Sequence, residues 1–190
     1  MSAMTSCSTA RSGSASGLHP DEVFTVTQED IDRETWQINS KLNGAWKYKG
    51  PSVDMSGKGL LAGVSKPIAK GKLKKKLKKA FKTIGLEKAC PQFTFDTDGT
   101  CAISVMGASM KGSYNYNPSQ QKITFKWHGI PLTAQLRLDG SKKMHLTFDA
   151  DKLLSLIKLM GRFSDSSTIK ALSFLMDNYD DVLMGFELKR

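Results

Sequence analysis

Between Pro91 and Asp149 apolar and polar residues alternate in short runs separated by turn-forming residues, the pattern of half-buried antiparallel strands. Asp96-Thr97-Asp98-Gly99-Thr100 fits a three-residue hairpin loop, which sets Phe95 against Cys101 and Phe93 against Ile103. A turn at Gly107-Ala108 sets Val105 against Met110 and Cys101 against Tyr114. The Asn117-Pro118 turn places Tyr116 opposite Ile123 and Tyr114 opposite Phe125. Past Ile130-Pro131, Phe125 meets Ala134 and Ile123 meets Leu136; across Asp139-Gly140, Leu136 meets Leu146 and Ala134 meets Phe148. All these pairings hold the apolar row on one side, and a slip of one residue would send it to the other. Such a sheet must close on itself or find a second layer, because a bare apolar face and open edges are both costly. The pattern predicts a mainly β fold, an antiparallel up-and-down barrel of about eight strands.

Two stretches switch to helical spacing. The first strand runs from about Gly44 to Lys49 and stops at Gly50-Pro51, and a helical insertion follows at about 53–85. Within it Leu73, Leu77, Ala80, Phe81 and Ile84 share one face, lysines fill the rest, and Gly85 supplies a C-cap. Gly63 and Gly71 suggest two helices or a kink. A second insertion at about 150–179 starts at an N-cap, Asp149 or Asp151, and buries Leu153, Leu154, Ile157 and Met160 before Gly161. A partner helix over about 166–178 and a last strand from Asp181 to Arg190 complete the chain, with Met184, Phe186 and Leu188 facing inward. Ahead of the first strand, Thr27 is placed to cap a short helix with Ile31, Trp36 and Ile38 on its weak apolar side. Residues 1–20 are Ser- and Gly-rich and read as a disordered tail, leaving 21–190 as a single domain.

Composition changes this picture little, and charge changes it more. The 190 residues have ordinary apolar content and no run long enough to span a membrane as a helix. The formal charge of +10 is uneven, with nine lysines between Lys66 and Lys82. Two readings of that run stay open. Its lysines face water while the apolar stripe packs on the barrel, or Lys74, Lys75, Lys78 and Lys79 rest on an anionic membrane surface. A nucleic-acid partner is not expected, because no base-stacking aromatics interleave the run beyond Phe81. Cys7, Cys90 and Cys101 show no metal spacing. The register separates Cys90 from Cys101 too far for a disulfide, so both read as small core-type residues. Cys7 follows small residues and precedes a flexible polar stretch, as an acylated lipoprotein cysteine does. No basic, apolar export signal precedes it in this sequence, so a lipid anchor and an ordinary tail cysteine both remain.

No catalytic constellation emerges. His19 lies in the tail, His128 in a turn, and His145 on the outer side of a strand, where solvation is expected. Helix capping accounts for Asp149 and Asp151, and no phosphate loop, nucleophile elbow or metal set is present. Neither enzyme activity nor a cofactor or metal is expected. The inward row of Phe93, Phe95, Ile103, Tyr114 and Tyr116, continued by Phe125, Trp127, Leu136, Leu146 and Phe148, has two readings. It fills the barrel as core, or it lines a cavity for a small hydrophobic ligand. Bulky residues favour a mostly filled interior. Gly44, Gly112 and Ala134 leave room for a narrow or partial cavity.

Gly44-Ala45-Trp46 on the first strand, a meander of strands, a late helix and a final strand resemble the lipocalin-like (calycin) barrels. In such barrels the Trp sits at the closed end beneath a basic side chain of the last strand, a role Arg190 can take over Trp46 by parity with Met184, Phe186 and Leu188. The runs Leu42 to Ser52, Leu146 to Leu154 and Gly185 to Lys189 are similar to a family of lipocalin-like envelope proteins from Bacteroidetes with no assigned function. The resemblance covers roughly residues 30–190. It implies an exported, often lipid-anchored barrel in the periplasm or at the outer membrane, with no catalytic residues to carry over. The helical insertion after the first strand is similar to that of intracellular fatty-acid binders, whose buried arginines hold a carboxylate. Arg137 lies on the polar side with Thr133 and Gln135, away from that role. The expectation is a monomeric, non-enzymatic envelope protein that binds an apolar or amphipathic small molecule. The alternative is a scaffold with a filled barrel that docks on anionic membranes through its lysine-rich helix.

Overall fold

Eight antiparallel strands pair in chain order and the last closes on the first, giving an up-and-down barrel. The computed structural model describes residues 27–55, 66–160, 170, 173 and 182–190. The strands are β1 (Gly44–Asp54), β2 (Gln92–Phe95), β3 (Thr100–Val105), β4 (Ala108–Asn117), β5 (Lys122–Trp127), β6 (Ile130–Asp139), β7 (Lys143–Phe148) and β8 (Leu183–Lys189). Helix α1 (Gln28–Leu42) precedes β1, α2 (Lys66–Thr83) and α3 (Leu86–Ala89) lie between β1 and β2, and α4 (Ala150–Leu159) follows β7. The helical insertions therefore sit after the first strand and before the last, as expected. Cys7, Gly63, Gly161 and the rest of the tail lie outside the described residues, as does the late partner helix apart from the helical residues Lys170 and Ser173.

Local chemistry fixes each helix. Thr27 caps α1 through a capping box: its Oγ1 accepts from the Asp30 N–H at 3.2 Å, and the Asp30 carboxylate accepts from the Thr27 N–H. Along α2 and just past it, Ala69, Leu73, Leu77, Ala80, Phe81 and Ile84 are buried, and the lysines from Lys70 to Lys82 are exposed. Gly85 ends the helix in the left-handed region at φ 78°. On α4 Leu153, Leu156 and Ile157 are fully buried.

The register agrees with the alternation in facing but not everywhere in partner. Phe93–Ile103, Phe95–Cys101, Tyr114–Phe125, Tyr116–Ile123 and Leu136–Leu146 pair as expected. Two turns are displaced. Val105 pairs with Ala108 and Cys101 with Gly112, so the β3–β4 turn is Met106-Gly107. Phe125 pairs with Leu132 and Ile123 with Ala134, so the β5–β6 turn is His128-Gly129. Both are two-residue turns with positive φ at each position, 48° and 84° in the first and 49° and 81° in the second. That is the type I′ geometry, whose twist suits a tight hairpin. Each displacement moves the partner by two residues, and a shift of two leaves the facing unchanged.

Strand β1 also differs from expectation: it continues through Gly50-Pro51 to Asp54. Its first part pairs with β2 from Gly44 to Lys47, and its second part pairs with β8. Proline is tolerated there because β1 has parted from β2 and forms an edge on that side. A bulge between Tyr48 and Gly50 adds one residue. The inward set accordingly changes parity, from Trp46 and Tyr48 to Pro51 and Val53. Beyond the parting, α2 and α3 seal the slot between β1 and β2, with Phe81 against Tyr48 and Phe186. Cys101 is buried as expected, whereas Cys90 is exposed, because α3 lifts it out of β2 into a left-handed C-cap. Both are free thiols.

Candidate functional site

The two ends of the barrel are built differently. The closed end carries α1, the longer turns and the junction of the first and last strands. Gly44 turns the chain from α1 into β1 at φ 111°, a backbone that side chains rarely adopt. Trp46 is wholly buried and donates its indole N–H to the Leu42 carbonyl at 2.7 Å. The Arg190 guanidinium lies 4.5 Å from the Trp46 ring centroid. It also donates to the carbonyls of Lys41, at 2.6 Å, and Asn43. One cation thus covers the indole and satisfies orphan carbonyls where α1 ends.

Among the described residues, aromatic rings pack the interior. Phe125 stacks on Trp127 at 4.5 Å, Phe95 packs edge-on against Tyr114 at 5.3 Å, and Phe81 lies 5.7 Å from Phe186. Contacts through Phe93, Phe148 and Tyr48 join these rings into one continuous cluster. Gly112 makes the Trp127 position possible, since a Cβ there would lie 2.4 Å from the indole and 2.4 Å from the Lys126 carbonyl. Ile123, Ala134, Leu136 and Leu146 complete the packing.

Polar atoms in this interior serve structure. Tyr114 donates its hydroxyl to the Asp96 carbonyl at 2.9 Å, toward the closed-end turn, and burial pushes its pKa up to about 12. Burial likewise raises the Tyr116 and Tyr48 phenols and pushes the Cys101 thiol up to about 12. The Trp127 indole N–H faces the Cys101 thiol and favours its thiolate against the effect of burial, while the Tyr48 hydroxyl is buried without a hydrogen-bond partner.

At the opposite end, the mouth, the β3–β4 hairpin and the end of α4 border an open, mostly apolar cavity of about 320 Å³. Ile103, Val105 and Met110 form its barrel side, Ala108 and Ser109 its edge, and Leu159 and Met160 its helical wall. Of the ten residues expected to line a ligand site, Ile103 faces this cavity. Phe93, Phe95, Tyr114, Tyr116, Phe125, Trp127, Leu136, Leu146 and Phe148 are buried in the core beneath it.

Lys74, Lys75, Lys78 and Lys79 are exposed on α2. Lys74 reaches Glu187 on β8 at 3.3 Å. The outer face also holds a pair that alternation did not reveal. His145, expected to be solvated, is 9% exposed, and its Nδ1 lies 2.9 Å from the Ser52 Oγ. Ser52 and His145 belong to β1 and β7, on either side of β8. Gly185 lets these strands crowd together, since a Cβ there would meet the Leu146 carbonyl at 2.0 Å. Burial first, then the Arg137 guanidinium, lower the His145 pKa, with Glu187 acting in the opposite sense. Among the described residues no group of His, Cys, Asp and Glu is placed to hold a metal ion, and no helix is long and apolar enough to cross a membrane.

A closed eight-stranded meander with a capped Gly-x-Trp end defines a lipocalin-like barrel, a fold class that is generally non-enzymatic. The chain belongs to the lipocalin-like domain family DUF4923, whose model matches residues 22–190. Among solved structures it is similar to a DUF4847 family protein from Bacteroides vulgatus ATCC 8482, at 12% identity and a TM-score of 0.37, over 78% of this chain and 92% of that one. No curated protein matches the chain.

Proposed function

We propose that this protein is a non-enzymatic binding protein that holds the apolar part of a small amphipathic molecule at the barrel mouth rather than in the barrel centre. The observation that carries this reading is the cavity of about 320 Å³ above a filled aromatic core. Its volume stands at the lower end of the range for ligand pockets, so it suits a short acyl or compact cyclic group. Its walls suit that task. Met110, Leu159 and Met160 are unbranched at Cβ and adapt to an irregular guest.

Titration with a lipophilic fluorescent probe tests the site. The wild type binds saturably, and Ala108→Phe, which fills the entrance, weakens binding about tenfold or more while the fold is kept. Binding untouched by Ala108→Phe, or gained only when Phe125→Ala hollows the core, would place the site elsewhere. Residence in the cell envelope, through a lipid on Cys7, is a separate part of the proposal and rests on the residues around that cysteine. Cell fractionation of the wild type and Cys7→Ser tests it, with the variant released from the membrane fraction.

A further inference from the structure

We infer that the mouth end of the barrel docks on an anionic lipid bilayer, with the tips of the β3–β4 and β5–β6 hairpins entering it and the lysines of α2 at headgroup level. Three independent observations point there. The first is apolar exposure at the tips: Met106 is 61% exposed in one turn and Ile130 is 44% exposed directly after the other. The closed-end turns differ, reading Asp-Thr-Asp-Gly over 96–99, Pro-Ser-Gln-Gln over 118–121 and Gly-Ser-Lys over 140–142. The second is strain. Met106 takes φ 48° at a position where Asn or Gly is the ordinary choice, so a long apolar side chain is held at the apex against the backbone's preference.

The third is charge. Helix α2 carries nine lysines and no carboxylate, and it seals the part of β1 nearer the mouth. Helix α1, at the closed end, has Glu29, Asp30, Asp32 and Glu34 against Arg33 and Lys41. The two helices therefore differ in charge, and an anionic plane attracts α2 and repels α1. Apolar tips beside the basic helix favour a bilayer over a nucleic acid, which offers phosphates but no hydrocarbon to receive Met106 and Ile130. Docking of this kind does not depend on the ligand proposed above.

Partition onto phosphatidylcholine vesicles with and without phosphatidylglycerol, read by co-sedimentation, tests the inference. The wild type binds only the anionic vesicles, and binding falls as salt rises. Lys75, Lys78 and Lys79 together changed to Gln lower partition about a hundredfold, at about fivefold per lysine. Met106→Asn with Ile130→Asn lowers it about tenfold or more. Met106→Asn installs the pair most favoured in that turn, so its loss of binding is not a loss of fold. Orientation has a built-in reporter. Trp46 and Trp127 are fully buried, while Trp36 on α1 is 69% exposed. In the docked state Trp36 stays open to an aqueous quencher. Equal partition onto both vesicles, no partition, full binding by the tip variant, or shielding of Trp36 would each overturn the inference.

Discussion

Trp46 at the closed end and Met106 at the mouth are both large apolar side chains at the limits of the same barrel, and they are treated in opposite ways. Trp46 has no exposure, its only polar atom is satisfied by Leu42, and a cation covers its ring. Met106 is mostly exposed, on a backbone that disfavours it. The closed end joins a helix, the first strand and the last strand through a few directional contacts. The mouth is bounded by two-residue turns and flexible side chains around unfilled space. Directional contacts are concentrated at one end, and unfilled space lies at the other.

Perturbations that act on one end only would sharpen that contrast. The largest effect is expected from Trp46→Ala, which removes a fully buried indole: a loss of about 3–5 kcal/mol. For a chain of this size that lowers Tm by about 10 °C in calorimetry. A change as small as that of a surface substitution would show that the closed end is no anchor. Arg190→Ala comes next, at about 1–3 kcal/mol, because it removes both the ring contact and the cap on α1. Arg190→Lys should recover only part of this, since an ammonium cannot stack flat while reaching two carbonyls.

A third test probes neither end but the seam between β1, β8 and β7. With its pKa lowered, His145 is held neutral in the folded state, whereas the unfolded chain takes up a proton as pH falls through its ordinary value near 6.5. The unfolded state then binds more protons, so this group's contribution is full at higher pH and is lost on acidification. The urea midpoint should fall more between about pH 8 and about pH 5.5 in the wild type than in His145→Gln. Equal falls would mean that His145 takes up its proton alike in the folded and unfolded chain. The smallest effect is at the mouth. Met106→Asn relieves left-handed strain and should raise Tm by about 2 °C, an increase where every closed-end change gives a decrease.

The sequence exposed the two ends unequally, for a physical reason. Alternation has a period of two, so it reports which way a residue faces and is blind to shifts of two. Both displaced turns, at Met106-Gly107 and His128-Gly129, fall in that blind spot: the partners of Val105 and Phe125 change while the inward row survives. The closed end was legible because parity brings Arg190 to the Trp46 side and Thr27 carries a capping signal. The mouth cavity was not, because its walls come from a hairpin and the end of α4, whose approach no local pattern encodes. His145 was misjudged for a similar reason. Alternation sent it outward, and only the absent side chain of Gly185 shows that Ser52 can reach across a strand to meet it.

The extra residue in β1 at Lys49 has a consequence for how such chains can vary. Before it, β1 pairs with β2 and carries the Trp46 anchor; after it, β8 is its sole strand partner. The bulge works as a joint between a fixed half and a half that hands the chain to the lysine helix. Insertions or deletions between Met55 and Lys66, ahead of the buried stripe of α2, can thus be absorbed on the far side of that joint. Homologues should differ most in length there, while their spacing from Gly44 to Lys47 stays constant.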